Sequence, residues 1–148
     1  MMDDSVFMKE ALALATLSAE EGEIPVGAVV VKDGQIIGRG RNLREKGHDA
    51  VCHAECVAIS EACRTVGDWR LSGCTLYVTL EPCPMCAGAV INSRLDRVVF
   101  GARDKDGGAC VSKINLFELG FSHRPAMREG VLGEECSSLL TEFFKKRR

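Results

Sequence analysis

Behind the acidic and capping residues Asp3, Asp4 and Ser5, apolar side chains recur at helical spacing, with Phe7, Ala11, Leu14 and Leu17 on one face. The pattern predicts a helix from about Ser5 to Glu20 that stops before Gly22. "PVGAVVVKDGQIIGRGRN" then predicts a hairpin, with a strand from Val26 to Val31, a Lys-Asp-Gly-Gln turn and a return from Ile36 to Arg41. The stretch from Asn42 to Cys52 is polar and predicts a loop. A second helix follows from Ala54 to about Thr65, with Val57, Ala58 and Ala62 available for packing.

"CTLYVTL" (74–80) is almost continuously apolar and β-branched, as expected of a strand buried on both faces. Pro84 suits the first turn of a third helix ending near Ile91, and "DRVVFGA" (96–102) predicts a further central strand. Residues Arg103 to Val111 are Gly-rich and mobile-looking. A short helix near Ile114–Leu119, a short fifth strand around Arg128–Val131 and a last helix from Glu134 to the closing "KKRR" complete the pattern. Strands and helices alternating in this order predict an α/β fold, a three-layer α/β/α sandwich on a mixed five-stranded sheet. No repeat or linker divides the chain, so residues 1–148 are expected to form a single domain.

Composition narrows the function. The chain has 148 residues, 46% hydrophobic and 27% charged, enough for a core and far from disorder. "MMDDSVFMKEALALATL" opens with acids, and Lys9 and Glu10 interrupt its apolar run, so it does not read as an export signal. No run approaches the roughly 18 apolar residues of a membrane span. A reducing cytoplasm is the expected compartment, where eight cysteines favour metal ligation or buried thiols over disulfides. A formal net charge of −2 confines any nucleic-acid footprint to a local patch.

Two clusters carry the chemistry. His53 and Glu55 stand at the start of one predicted helix, and Cys83 and Cys86, three apart, at the start of another. One turn can present both sulfurs to one ion, and helix N-termini favour the thiolate form. Cys56, one turn beyond His53, offers a fourth ligand, and a closed Cys₃His site would make a zinc-stabilised binding module. Glu55 argues the other way, since a structural site has no use for a carboxylate beside its ion. His-x-Glu followed by Pro-Cys-x-x-Cys is the zinc deaminase pattern.

With "PVGAVVV", "GRGRN", "HAE", "WRLSGCTLYVTLEPCPMCAGAVINSR", "VVFGARD" and "EECSSLLTEFFKKRR", the chain resembles the bacterial tRNA adenosine deaminases of the cytidine deaminase-like superfamily. The resemblance implies a homodimer that deaminates the wobble adenosine of a tRNA anticodon stem-loop to inosine. It implies one Zn²⁺ per subunit on His53, Cys83 and Cys86, with Glu55 moving protons. Asn42 would hydrogen-bond the substrate nucleoside, and Asp104 would lie beside the RNA next to the target. The chain departs from the family pattern at Cys56, where an aliphatic residue is usual, at Ser122, where Asn often precedes "HR", and in a "GGACVSKINLFELG" loop that replaces the common "GAAGS". A free-base or nucleotide deaminase acting on guanine or cytosine is the alternative, supported by that altered loop.

Other residues carry weaker signals. His123 and Arg124 are expected to touch RNA, and His48 to be solvated. Cys63, Cys74, Cys110 and Cys136 fall on apolar patterns as buried small hydrophobes. Trp69 is expected to pack. "KKRR" is either a solvated helix end that complements the dipole or an RNA contact.

Overall fold

The computed structural model describes residues 3–147, so Met1 and Met2 of the opening run and Arg148 of the basic end lie outside the described residues. Helix α1 (Asp4–Glu20) leads into the hairpin β1 (Gly27–Lys32) and β2 (Gln35–Arg41). Asp33 and Gly34 between them both have positive φ, 50° and 77°, the geometry that lets a two-residue turn follow the strand twist. A four-residue helix α2 (Arg44–Gly47) precedes α3 (Ala54–Val66), β3 (Cys74–Leu80), α4 (Pro84–Asn92) and β4 (Arg97–Ala102). A 3₁₀ turn (Leu116–Glu118), β5 (Ala126–Glu129) and α5 (Gly133–Lys146) close the chain.

The sheet order is β2-β1-β3-β4-β5. β1 runs antiparallel to β2 and β3, while β3, β4 and β5 are parallel. Alternation along the central strands sorts side chains into two cores. Ala28, Val30, Leu76, Val78, Val98 and Phe100 meet α3 and α4, whereas Val29, Val31, Tyr77 and Val99 meet α1 and α5. The three-layer sandwich expected from the pattern is the observed fold.

Differences from the sequence expectation have local causes. Leu17 is 47% exposed, and the buried stripe of α1 is instead Phe7, Met8, Ala11, Ala15 and Ser18. α2 interrupts the expected loop because buried Glu23 accepts hydrogen bonds from the Glu45 and Lys46 amides, at 3.1 and 2.6 Å. β5 begins two residues early; as a largely exposed edge strand it carries no apolar alternation to mark it. The 103–111 segment is well bonded, its amides converging on Glu81. Trp69 is 57% exposed, with the Arg70 and Arg94 guanidinium groups 5.3 and 5.7 Å from its ring, so it does not pack inside. Cys74, Cys110 and Cys136 are buried as expected and Cys63 only half-buried. No described helix is long and apolar enough to cross a membrane.

Candidate metal centre and substrate pocket

β3 ends at Leu80, and the parallel arrangement carries Glu81, Pro82 and Cys83 to the same edge of the sheet as the residues after β4. Because β1 is antiparallel to β3, its entry at Val26 lies at this edge too. Here α3 and α4 both begin, with His53 and Cys83 at their N-cap positions and Pro84 in the first turn of α4. α3 can lie this close because β2 presents Gly38 and Gly40 beneath it. A Cβ on Gly40 would strike the Ala54 carbonyl, and one on Gly38 the Ala58 carbonyl.

His53 Nδ1 lies 3.6 Å from both Cys83 Sγ and Cys86 Sγ. Among the described residues these three form the one group of ligand atoms lying within 4.8 Å of one another. Cys56 Sγ is 3.7 Å from Cys86 Sγ but outside that group. Hydrogen bonding from Cys86, aided by His53 and opposed by burial, lowers the Cys83 thiol to about 4. Its contacts with Cys56 and Cys83, together with burial, push the Cys86 thiol up. One thiolate thus disfavours the next, and a divalent cation with a preference for sulfur and imidazole would let both ionise. The donor set fits zinc.

Glu55, in the first turn of α3, is 4% exposed, and burial, against its own backbone amide, raises its carboxyl to about 7. It lines a pocket of about 150 Å³ together with Asn42, His53, Cys83 and Asp104. Asn42 is tied down through its Nδ2, which donates to the Ile24 carbonyl at 3.3 Å, and its own carbonyl accepts from Ser18 Oγ at 2.9 Å. Asn42 Oδ1 is the one buried side-chain polar atom without a hydrogen-bond partner among the described residues. An unpaired acceptor in a pocket wall is where a ligand's N–H or O–H would bind.

The structure does not bring His123 and Arg124 to this pocket. His123 Nε2 is bonded to the Leu95 carbonyl at 2.6 Å, ahead of β4 and hence at the opposite end of that strand, and Arg124 pairs with Glu118 on the surface. His48 is exposed at the left-handed C-cap of α2. Two charged pocket residues had no reading in the sequence, Arg44 and Glu81. For Glu81 a signal existed, an acid directly following an apolar strand.

The family described as the cytidine and deoxycytidylate deaminase zinc-binding region matches residues 1–102. The tRNA-specific adenosine deaminase of Bacillus subtilis is 51% identical over 149 residues, covering 100% of this chain and 92% of that one. A solved structure from work on A-to-I editing by tRNA:A34 deaminases at the wobble position superposes with a TM-score of 0.88 at 40% identity, covering 91% of this chain and 99% of that one. A guanine deaminase from Nitrosomonas europaea matches less well, with a TM-score of 0.79 at 25% identity over 97% of this chain and 85% of its own.

Proposed function

This chain belongs to the tRNA-specific adenosine deaminases, within the zinc-binding cytidine and deoxycytidylate deaminase family, and from that premise we propose how its residues divide the work. The reaction is hydrolytic deamination of adenosine to inosine at the wobble position of a tRNA anticodon. His53, Cys83 and Cys86 hold the zinc ion, one per subunit. Bound there, zinc supplies Lewis acidity that brings the ionisation of an attacking water near neutral pH. Glu55 accepts one proton from the water and delivers it to the ring nitrogen beside C6. It then takes the second from the hydroxyl added at C6 and gives it to the amino group, which leaves as ammonia while the C6 oxygen becomes the carbonyl. Asn42 offers its unpaired Oδ1 to the nucleoside, and Asp104 stands at the rim where the flanking RNA enters. Any RNA contact of His123 and Arg124 is made outside the pocket. An anticodon loop is single-stranded, so turning one base inward costs little stacking.

Residues 1–148 act as a single deaminase domain in the cytoplasm, where tRNA is modified. A homodimer is supported by the exposed apolar side chains of Ile114, Leu119 and Phe121 in one segment.

The observation that carries the catalytic reading is the buried carboxylate of Glu55 in the wall of a pocket that His53 and Cys83 also line. The test is incubation of zinc-loaded protein with an anticodon stem-loop, scoring inosine at the wobble position. Ammonia released from guanine or cytosine, with no inosine in the RNA, would support the free-base alternative instead.

A further inference from the structure

Glu81 is 2% exposed, yet no described ion pair includes it. Five donors converge on its carboxylate. Oε2 accepts from the amides of Cys110, Val111 and Ser112, at 3.1, 2.8 and 2.9 Å. Oε1 accepts from the Asp104 amide at 3.0 Å and from the Ser112 hydroxyl at 2.5 Å. We propose that Glu81 is a positioning residue that holds the 104–112 loop, and with it Asp104, at a fixed place relative to the metal ligand Cys83.

Three features argue for this. Only an acceptor-only group satisfies donors on both oxygens, because either orientation of a glutamine would turn its NH₂ against an N–H. The carboxylate is buried and meets no cation among the described residues, so its two oxygens are satisfied by main-chain amides and a hydroxyl of the loop itself. The loop is also shaped to the carboxylate, since a Cβ on Gly108 would overlap the Glu81 oxygens.

The geometry carries the constraint to both ends. Only Pro82 separates Glu81 from Cys83, and the Pro82 carbonyl accepts from the Ala109 amide at 2.8 Å. On the loop side, the Asp104 side chain is oriented by its own turn, Oδ1 accepting from the amides of Asp106 and Gly107, both at 3.2 Å. Glu81 therefore sets the position of the main chain, and the turn sets the direction of the carboxylate.

The proposal rests on the pocket being the RNA site, and its test separates the two ideas. Glu81→Gln in the full-length zinc-loaded protein should keep about one zinc per chain, raise KM for an anticodon stem-loop about tenfold or more, and lower kcat much less, since one lost interaction shifts affinity by about that factor. Amides of Asp104, Cys110, Val111 and Ser112 should exchange with solvent at least about tenfold faster, while those of β3 do not change. The double variant Glu81→Gln/Asp104→Ala should bind RNA no worse than Asp104→Ala alone. Unchanged KM and exchange in Glu81→Gln, or effects that multiply in the double variant, would overturn the proposal. Should Glu81→Gln fail to fold, Gly108→Ala strains the same contact from the loop side and must give the same exchange pattern. The exchange measurement needs no substrate, so it decides on the clamp even if the stem-loop is not deaminated.

Discussion

The thiol of Cys56 stops 3.7 Å from Cys86 Sγ, one helical turn past His53, close enough to touch a ligand without joining the ligand group. That position distinguishes an open catalytic site from a closed structural one. Cys56→Ser is therefore expected to retain about one zinc per chain and most deaminase activity. Metal analysis of the purified variant checks this. Loss of both zinc and activity in a folded protein would make Cys56 the fourth ligand.

Glu55→Gln keeps the shape of the side chain and removes its capacity to take a proton. General acid–base catalysis contributes about 10²–10⁴-fold, so turnover of the stem-loop should fall by at least about 10² while zinc content is unchanged. Near-normal turnover would rule out the proton-transfer role.

The metal cluster and Glu55 were legible in the sequence because each half of the site is local. His53 and Glu55 share one helix start and Cys83 and Cys86 another, so spacing alone brings the side chains together. The central strands were legible for a similar reason, burial on both faces leaving an almost continuous apolar run at 74–80. What stayed hidden depends on contacts between distant segments. α2 exists because Glu23, ahead of β1, accepts from two of its amides, and the glycine-rich 103–111 segment is held by Glu81, which directly follows β3. Local composition describes both stretches as loose, since the bonds that order them come from residues about 20–30 positions away. The polar stretch around His123 likewise does not show that the Leu95 carbonyl holds its ring away from the pocket.

Gly40 tests how closely the α3 backbone approaches the sheet. Gly40→Ala would press a methyl group into the Ala54 carbonyl, next to His53, and toward Val57 Cβ at 3.0 Å. Overpacking of this kind costs about 1–3 kcal/mol, and α3 can relieve it only by lifting off β2. A lower thermal midpoint together with reduced zinc occupancy is expected. Wild-type values of both would show that the helix can move without disturbing its N-terminus.

Asn42→Ala removes the unpaired Oδ1 from the pocket wall and leaves the main-chain bonds of residue 42 in place. If that oxygen binds the nucleoside, about 1–3 kcal/mol of interaction is lost, equivalent to roughly 5–150-fold in kcat/KM for the stem-loop. Zinc content should not change. A variant with wild-type kcat/KM would show that the nucleoside is held elsewhere.

Asp4 gives the fold a definite pH dependence. Its buried carboxylate accepts from Tyr77 Oη at 2.7 Å, from two Arg97 nitrogens at 2.9 and 2.7 Å, and from Arg128 at 2.7 Å, so α1 is joined to β3, β4 and β5 at one point. The Arg97 bonds foremost, opposed by burial, hold this carboxyl well below its ordinary range. The unfolded carboxyl titrates near ~3.9, so the stabilisation is complete above about pH 5 and is lost as pH falls toward the lower folded value. Asp4→Asn leaves the two arginines without their partner and should cost about 2–4 kcal/mol at pH 7, toward the low end because Arg128 is largely solvated. Thermal midpoints of the two proteins should therefore differ most at neutral pH and converge as the pH is lowered toward 3. A gap that stays constant across that range would mean that Asp4 acts through shape and hydrogen bonding alone, with its charge contributing nothing to stability.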